Sequence, residues 1–109
     1  MRKLLAILLF LPLTAKADFW TGNDLYNKLS SSEVIERVNA IGYVVGIYDA
    51  GVNSVFCPKT EQGITAGQIR DMVHNWLSYN PQRRHEPAER LVFQIYKQNW
   101  PCPVRGSRI

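Results

Sequence analysis

One long helix, predicted from Ser32 to Asn53, constrains the fold of this chain more than any other feature. Apolar residues recur along it at alternating gaps of four and three, which keeps them on one stripe of a helix with 3.6 residues per turn. We expect this stripe to face the core, with the remaining helices packed around it. Its members are Val34, Val38, Ile41, Val45, Tyr48 and Val52.

Small residues run beside that stripe at every fourth position, namely Gly42, Gly46 and Ala50. A glycine inside a helix costs roughly 1 kcal/mol relative to alanine, so two of them predict helix packing at close range. The segment from Ala40 to Tyr48 is also apolar or small on every side. We therefore expect it to be enclosed, either by other helices of the chain or by a second copy.

The first 17 residues are typical of a cleaved secretory signal peptide. Two basic residues precede an apolar run from Leu4 to Leu13, and Ala15-Lys16-Ala17 resembles a cleavage site. The alternative, an uncleaved anchor, is disfavoured because the apolar run is too short to span a bilayer. We expect a periplasmic protein, residues 18–109, with no membrane attachment after cleavage.

The net charge gives little support for nucleic-acid binding. Three of the 13 basic residues lie in the signal segment, whereas all nine acidic residues lie outside it, which leaves 10 − 9 = +1. Two of the remaining basic residues, Arg105 and Arg108, lie in a terminal tail. Because no basic patch with interleaved aromatic residues remains, no nucleic-acid partner is expected.

The two cysteines, Cys57 and Cys102, predict one disulfide because the signal segment directs the chain to an oxidising compartment. Metal binding is the alternative. It is disfavoured because the chain has no C-x-x-C motif and only His74 and His85 to complete a site. We predict neither a metal nor a cofactor for the single domain of residues 18–109.

Capping motifs place three further helices. Thr21 with Asp24 begins a short helix that ends near Leu29, and Thr65 with Gln68 begins one that ends near Tyr79. Pro87 suits the first position of a last helix. No segment alternates convincingly with period two, so the predicted fold is all-α, a small bundle of about four helices tied by one disulfide.

The last helix carries two apolar faces. One is aliphatic and predicted to face the core, and the other is aromatic. A domain this small is expected to leave the aromatic face uncovered, which together with the apolar segment of the long helix predicts a homodimer. The aliphatic face is Ala88, Leu91, Val92 and Ile95, and the aromatic face is Phe93, Tyr96 and Trp100.

No catalytic site is predicted. The chain has no G-x-S-x-G, no H-E-x-x-H and no glycine-rich phosphate loop. Asp49 is unusual because it lies beside the apolar stripe of the long helix. A buried structural hydrogen bond is favoured for its carboxylate over an acid with a role in catalysis.

The segment from Asn80 to Glu86 is the most polar and most positive stretch after the signal segment. Proline at positions 81 and 87 restricts it at both ends, so it could enter a cleft of another protein at low entropic cost. The alternative is structural, with the arginine and histidine side chains capping helix ends. The predicted partner-binding residues are Asn80, Gln82, Arg83, Arg84 and His85.

Several short motifs follow one another along the chain in a specific order. They are Gly42 and Gly46, Phe56-Cys57, Gly67-Gln68, Trp76-Leu77, Asn80-Pro81, Arg84-His85, Pro87-Ala88 and Trp100-Pro101-Cys102. Over about Phe19 to Cys102 this order resembles the Rap/Tai domain family. The resemblance implies an exported, all-α, often dimeric immunity protein that binds a peptidoglycan amidase effector of the type VI secretion system and plugs its active-site cleft.

A second function is a periplasmic chaperone-like or envelope-stress binding protein. Such a protein is expected to show a large exposed apolar surface or a charge switch in the acid range. The two histidines of this chain offer little switch. The inhibitor therefore remains the favoured prediction.

Overall fold

Four α-helices form the computed structural model, which describes residues 19–59 and 63–104. They are α1 (Gly22–Leu29), α2 (Val34–Gly51), α3 (Ala66–Tyr79) and α4 (Ala88–Asn99), with a short 3-10 helix at Pro81–Arg83. Only two isolated bridges, and no strand, occur within these ranges. The all-α fold and the bundle of four helices are confirmed. The predicted signal peptide lies outside the described residues.

Both predicted capping boxes are formed. The Thr21 hydroxyl accepts a hydrogen bond from the Asp24 N–H at 3.1 Å, and the Asp24 carboxylate accepts one from the Thr21 N–H at 2.9 Å. Thr65 and Gln68 make the same reciprocal pair at 3.1 and 2.9 Å. Each box satisfies two of the backbone donors that a helix start leaves unpaired, so α1 and α3 begin where the sequence indicates.

The core lies between α2 and the other three helices, all of which contact it. None of the described helices combines the length and the apolar character needed to cross a membrane. The buried apolar residues are Leu25, Leu29, Ala40, Val44, Phe56, Ile69, Val73, Leu77, Ala88, Leu91, Val92, Ile95 and Tyr96.

The inward stripe of α2 differs from the predicted one. Val34 and Val38 are 60% and 58% exposed, whereas Ala40, Val44 and Gly51 are buried. The prediction was wrong at the start of the helix because α2 is apolar on nearly every side. Without a polar face opposite the core, periodicity alone does not determine which apolar stripe faces inward.

The aromatic face of α4 is covered by the chain itself. The ring centroid of Phe56 lies 4.9 Å from that of Tyr96, 5.9 Å from that of Trp100 and 6.4 Å from that of Phe93. Phe56 and Tyr96 are fully buried. The expectation of an uncovered aromatic face was therefore wrong, because the connector after α2 folds back and delivers Phe56 into it.

A tight turn at the end of α2 makes this possible. Asn53 has a φ of 66°, and a Cβ at Gly51 would lie 2.7 Å from Phe56 Cε1 and 2.9 Å from Phe93 Cε1. Such separations are closer than carbon atoms tolerate, so glycine is required for the connector to approach the helix end. The Val55 N–H donates to the Gly51 carbonyl at 2.7 Å and fixes the turn.

The predicted disulfide joins Cys57 and Cys102, which confirms it. The Cys57 N–H also donates to the Trp100 carbonyl at 2.7 Å. The chain after α4 is thus tied to the connector that follows α2. This tie lies beside the aromatic cluster and closes one end of the bundle.

Candidate functional site

The predicted partner-binding loop, Asn80 to Glu86, is attached to α1 along its inner side. The Gly22 N–H donates to the Glu86 carbonyl at 2.8 Å, and the Asn23 N–H donates to the Arg84 carbonyl at 2.7 Å. These are backbone donors that a helix start leaves without partners inside the helix. The loop therefore supplies acceptors to α1, and α1 fixes the backbone of the loop.

Gly22 allows this contact. A Cβ at this position would lie 2.9 Å from the Arg84 Cα and 2.7 Å from the Leu91 Cδ1. Any larger residue would push α1 away from both the loop and α4. The position is buried although it begins a helix.

Arg83 is engaged within the chain. Its guanidinium donates to both carboxylate oxygens of Glu86, at 2.8 and 2.9 Å, and to Oε1 of Gln94 at 2.9 Å. It also lies over the Trp76 ring, 5.5 Å from the centroid. Hydrogen bonding from Arg83 lowers the pKa of the Glu86 carboxyl. Arg83 thus links the loop to α3 and α4.

Arg84 is directed inward. Its guanidinium lies 4.1 Å from the centroid of the Tyr26 ring, and Nη1 donates to the Leu77 carbonyl near the end of α3 at 3.3 Å. Its buried Nε makes no hydrogen bond. These contacts match the structural alternative for this residue, in which a cation interacts with the C-terminal carbonyls of a helix.

The outer side of the loop presents Pro81, Gln82 and His85, all of which are exposed. Asn80 is half-buried, since its Nδ2 donates to the Trp76 carbonyl at 2.8 Å. Gln82 makes one long contact, 3.4 Å from its Nε2 to the Asn80 Oδ1. The five predicted residues therefore divide into two groups, with Gln82 and His85 accessible and the other three largely engaged in internal contacts.

A second accessible surface lies on α2 and comprises Ile35, Val38, Gly42 and Gly46, here called the α2 face. Ile35 is 70% exposed, and a Cβ at either glycine would meet nothing within 4 Å. Among the described residues, then, the two glycines do not pack closely against another helix. Their role in helix packing stays a prediction, and it would require a helix from a second copy of the chain.

A groove of about 450 Å³ lies on the outer side of α4, and no pattern in the sequence analysis predicted it. Phe93 and Val55 form its apolar part. Arg90 and Lys97 each lie about one turn from Phe93 along α4, one on either side, and Gln94 lies between them. The signal available in the sequence was the pair of basic residues flanking Phe93. We call it the α4 groove, lined by Val55, Arg90, Phe93, Gln94 and Lys97.

The other candidate residues are Asp49 and His74, and neither belongs to the loop, the α2 face or the α4 groove. Asp49 is exposed and makes no hydrogen bond or ion pair with the described part of the chain, so the expected buried hydrogen bond is wrong. His74 is half-buried. Its Nε2 lies 2.9 Å from the Ser30 Oγ, and its ring stacks on Tyr26 at 5.1 Å. Residues 19–59 and 63–104 contain no group of three or more potential metal ligands.

Comparisons with known proteins bear on what these surfaces serve. The family model described as Rap1a immunity proteins matches residues 21–102, which includes all four helices, the loop and both cysteines. Comparison with curated proteins gave no match. Since the match extends from the cap of α1 to the second cysteine, the chain belongs to the Rap1a immunity protein family.

Proposed function

We propose that this protein is a periplasmic immunity protein that binds and blocks a peptidoglycan amidase effector of the type VI secretion system, without catalysis of its own. Family membership supports the immunity role. The disulfide supports an oxidising compartment such as the periplasm. The observation that carries the mode of action is the loop, whose backbone is fixed by α1 while Gln82 and His85 stay exposed.

The loop suits inhibition because it is ordered before binding. Hydrogen bonds from Gly22 and Asn23 fix its backbone, and the contacts of Arg83 and Arg84 fix its shape from inside. Ordering a segment on binding costs free energy, so a loop already held in shape binds more tightly than a mobile one. We assign the two arginines and Asn80 to positioning the loop, and Gln82 and His85 to contact with the effector.

The proposal includes a homodimer that forms through the α2 face. Val34, Ile35 and Val38 are all more than half exposed on one helix. Gly42 and Gly46 leave its centre without side chains, so a second helix can approach closely there. A two-fold interface uses the same patch on both chains, and an apolar stripe with a low centre is complementary to itself.

Growth under co-expression tests the proposed function. A peptidoglycan amidase effector of the proposed class would be directed to the periplasm of a laboratory bacterium together with the protein. We expect the unchanged protein to restore growth, and the double substitution Gln82→Ala with His85→Ala to restore less or none. The matched control is Asn75→Ala with Gln98→Ala, which changes two exposed polar residues on α3 and α4.

The outcomes separate the possibilities. If the control also fails, loss of folding or export explains the result, which the amount of soluble protein would show. If the loop variant protects fully, the assignment of the loop is wrong. If Val38→Glu then fails to protect while sedimentation shows that its dimer persists, the effector binds through the α2 face. If the unchanged protein protects cells against unrelated misfolding proteins and does not protect them against the amidase, it acts as a chaperone.

A further inference from the structure

We propose that the α4 groove binds an extended segment of a partner protein in which an apolar side chain is flanked on both sides by a carboxylate. This inference does not depend on the immunity function, since it follows from the lining of the groove. It differs from the expectation that Phe93 belongs to a dimer interface, and the family match assigns no role to this surface. The groove has an apolar floor and two cations at a defined spacing.

The floor of the groove is apolar and rigid. Phe93 is half-buried and lies against the fully buried Phe56, with 6.4 Å between ring centroids. Val55 remains 40% exposed although the turn after Gly51 fixes its backbone. An apolar side chain entering here would displace water from a surface that does not need to rearrange.

The rim of the groove is positive, and neither of its cations forms an ion pair with the described residues. Ion pairs in the described part of the chain are Arg70 with Asp71 and Arg83 with Glu86. The charge of Arg90 helps to lower the pKa of the Glu86 carboxyl, but Arg83 makes the larger contribution and engages both of its oxygens.

Glu89, the residue before Arg90, acts on another part of the surface. Burial raises the pKa of Tyr43 on α2, and the charge of Glu89 raises it by a smaller amount. The Glu89 carboxylate therefore acts toward α2. Glu89 does not line the groove. Neither rim cation is held in an ion pair by the described residues, so carboxylates on a bound segment would complement both of them.

The spacing of the cations indicates the shape of the ligand. Arg90 and Lys97 are seven residues apart on α4, about 10 Å along the helix axis at 1.5 Å per residue. In an extended peptide, alternate side chains point to the same face, with roughly 3.3 Å per residue. The pattern acid, any, apolar, any, acid thus presents three side chains over about 13 Å, which the long Arg and Lys side chains can span.

Gln94 supplies a donor for the backbone of such a segment. Its Oε1 accepts from Arg83 at 2.9 Å, which orients the amide and leaves its NH₂ group without a partner among the described residues. An amide NH₂ carries two donors, and an extended peptide offers carbonyls at regular intervals. The same hydrogen bond connects the groove to the loop, so one partner can contact both surfaces.

Fluorescence anisotropy with a labelled seven-residue peptide tests the proposal. The peptide would have a central Leu, Glu at its second and sixth positions, and Gly or Ser elsewhere; its control carries Gln in place of Glu. We expect the acidic peptide to bind at about 100 µM and the neutral one at least fivefold more weakly. Arg90→Gln with Lys97→Gln should weaken the acidic peptide about fivefold to tenfold.

A charge-matched variant removes the effect of net charge. Asn27→Asp with Asn75→Asp also lowers the charge by two, but at exposed positions of α1 and α3. We expect it to bind the acidic peptide as the unchanged protein does. Amide shifts in NMR spectra should centre on Val55, Phe93 and Gln94.

Three results would overturn the proposal. One is no binding up to about 2 mM. Another is equal weakening by the groove variant and the charge-matched variant, which would mean nonspecific attraction. The third is binding of anionic phospholipid vesicles, but not of the peptide, that depends on Arg90 and Lys97. None of these results would bear on the amidase, which the growth experiment tests separately.

Discussion

The α2 face and the aromatic side of α4 both carry more apolar side chains than contact with one helix would bury. The described residues cover only one of these two surfaces. Phe56 from the connector fills the aromatic side of α4, where Tyr96 is fully buried and Phe93 and Trp100 are half-buried. No comparable residue within 19–59 or 63–104 reaches the α2 face, where Ile35 and Val38 stay more than half exposed. The difference arises because Gly51 allows a tight turn toward α4 and away from the outer side of α2.

This difference assigns separate roles to the two sides. On α4 the cover forms the floor of the α4 groove. On α2 no described residue covers the exposed apolar side chains, and the two glycines lower the centre of the surface. We therefore expect changes on the α4 side to reduce stability and changes on the α2 face to reduce association.

Removal of Phe56 should have the largest effect. Phe56→Ala would leave a cavity among Tyr48, Phe93 and Tyr96, and we expect a loss of about 3–5 kcal/mol in the free energy of unfolding. Urea unfolding followed by tryptophan fluorescence measures it. Its neighbour Val55 is the control, because Val55→Ala removes a side chain that is 40% exposed and should cost less than about 1 kcal/mol. Equal costs for the two variants would show that Phe56 does not cover the aromatic side.

Removal of the disulfide should come next. Cys57 and Cys102 are 45 residues apart, and a closed loop of that length constrains the unfolded chain by up to about 4 kcal/mol. We expect Cys57→Ala with Cys102→Ala to lose about 2–4 kcal/mol in urea unfolding. An unchanged midpoint would mean that the aromatic cluster holds this end of the bundle without the disulfide.

The hydroxyl of Tyr96 connects α4 to α2 by a hydrogen bond inside the core. It donates to the Val44 carbonyl of α2 at 2.6 Å, and burial raises the pKa of this phenol. Tyr96→Phe would leave that buried carbonyl without its side-chain donor, and we expect a loss of about 1–2 kcal/mol. Thermal unfolding measured beside the wild type would detect it. No loss would indicate that the carbonyl is satisfied by its helical hydrogen bond alone.

Substitution on the α2 face should have the smallest effect on the fold and the largest on assembly. Val38→Glu places a charge on a residue that is 58% exposed, so the free energy of unfolding of the monomer should change by less than about 0.5 kcal/mol. Sedimentation should show the mass of a dimer for the unchanged protein and of a monomer for the variant. Asn75→Glu on the outer side of α3 is the control, and its dimer should persist.

Much of the bundle could be predicted from the sequence because its signals are local. Reciprocal capping pairs at Thr21 and Thr65, and Pro87 just before Ala88, give the starts of three helices. The role of Phe56 could not be predicted, since a connector has no periodicity that shows which side chain turns inward. The inward stripe of α2 was also missed, because an all-round apolar helix gives no contrast between its faces.

The loop from Asn80 to Glu86 shows that side-chain directions in a candidate site are also hard to predict from sequence. Its polarity and its prolines were visible in the sequence, but the direction of each side chain was not. Glu86, three residues after Arg83, was the one available sign that this arginine has a partner within the chain. The contact of Arg84 with Tyr26 joins residues 58 positions apart, and no local pattern indicates it.

The central claim is that the free chain already presents a surface that blocks an effector. The most direct measurement titrates a peptidoglycan amidase effector of the type VI secretion system, the proposed target, with the purified protein and follows cleavage of the peptide stem. We predict complete inhibition near equimolar ratio, and a complex about 30-fold weaker for Gln82→Ala with His85→Ala at an unchanged thermal midpoint. An amidase that remains fully active at a large excess of the folded, disulfide-bonded protein would contradict it.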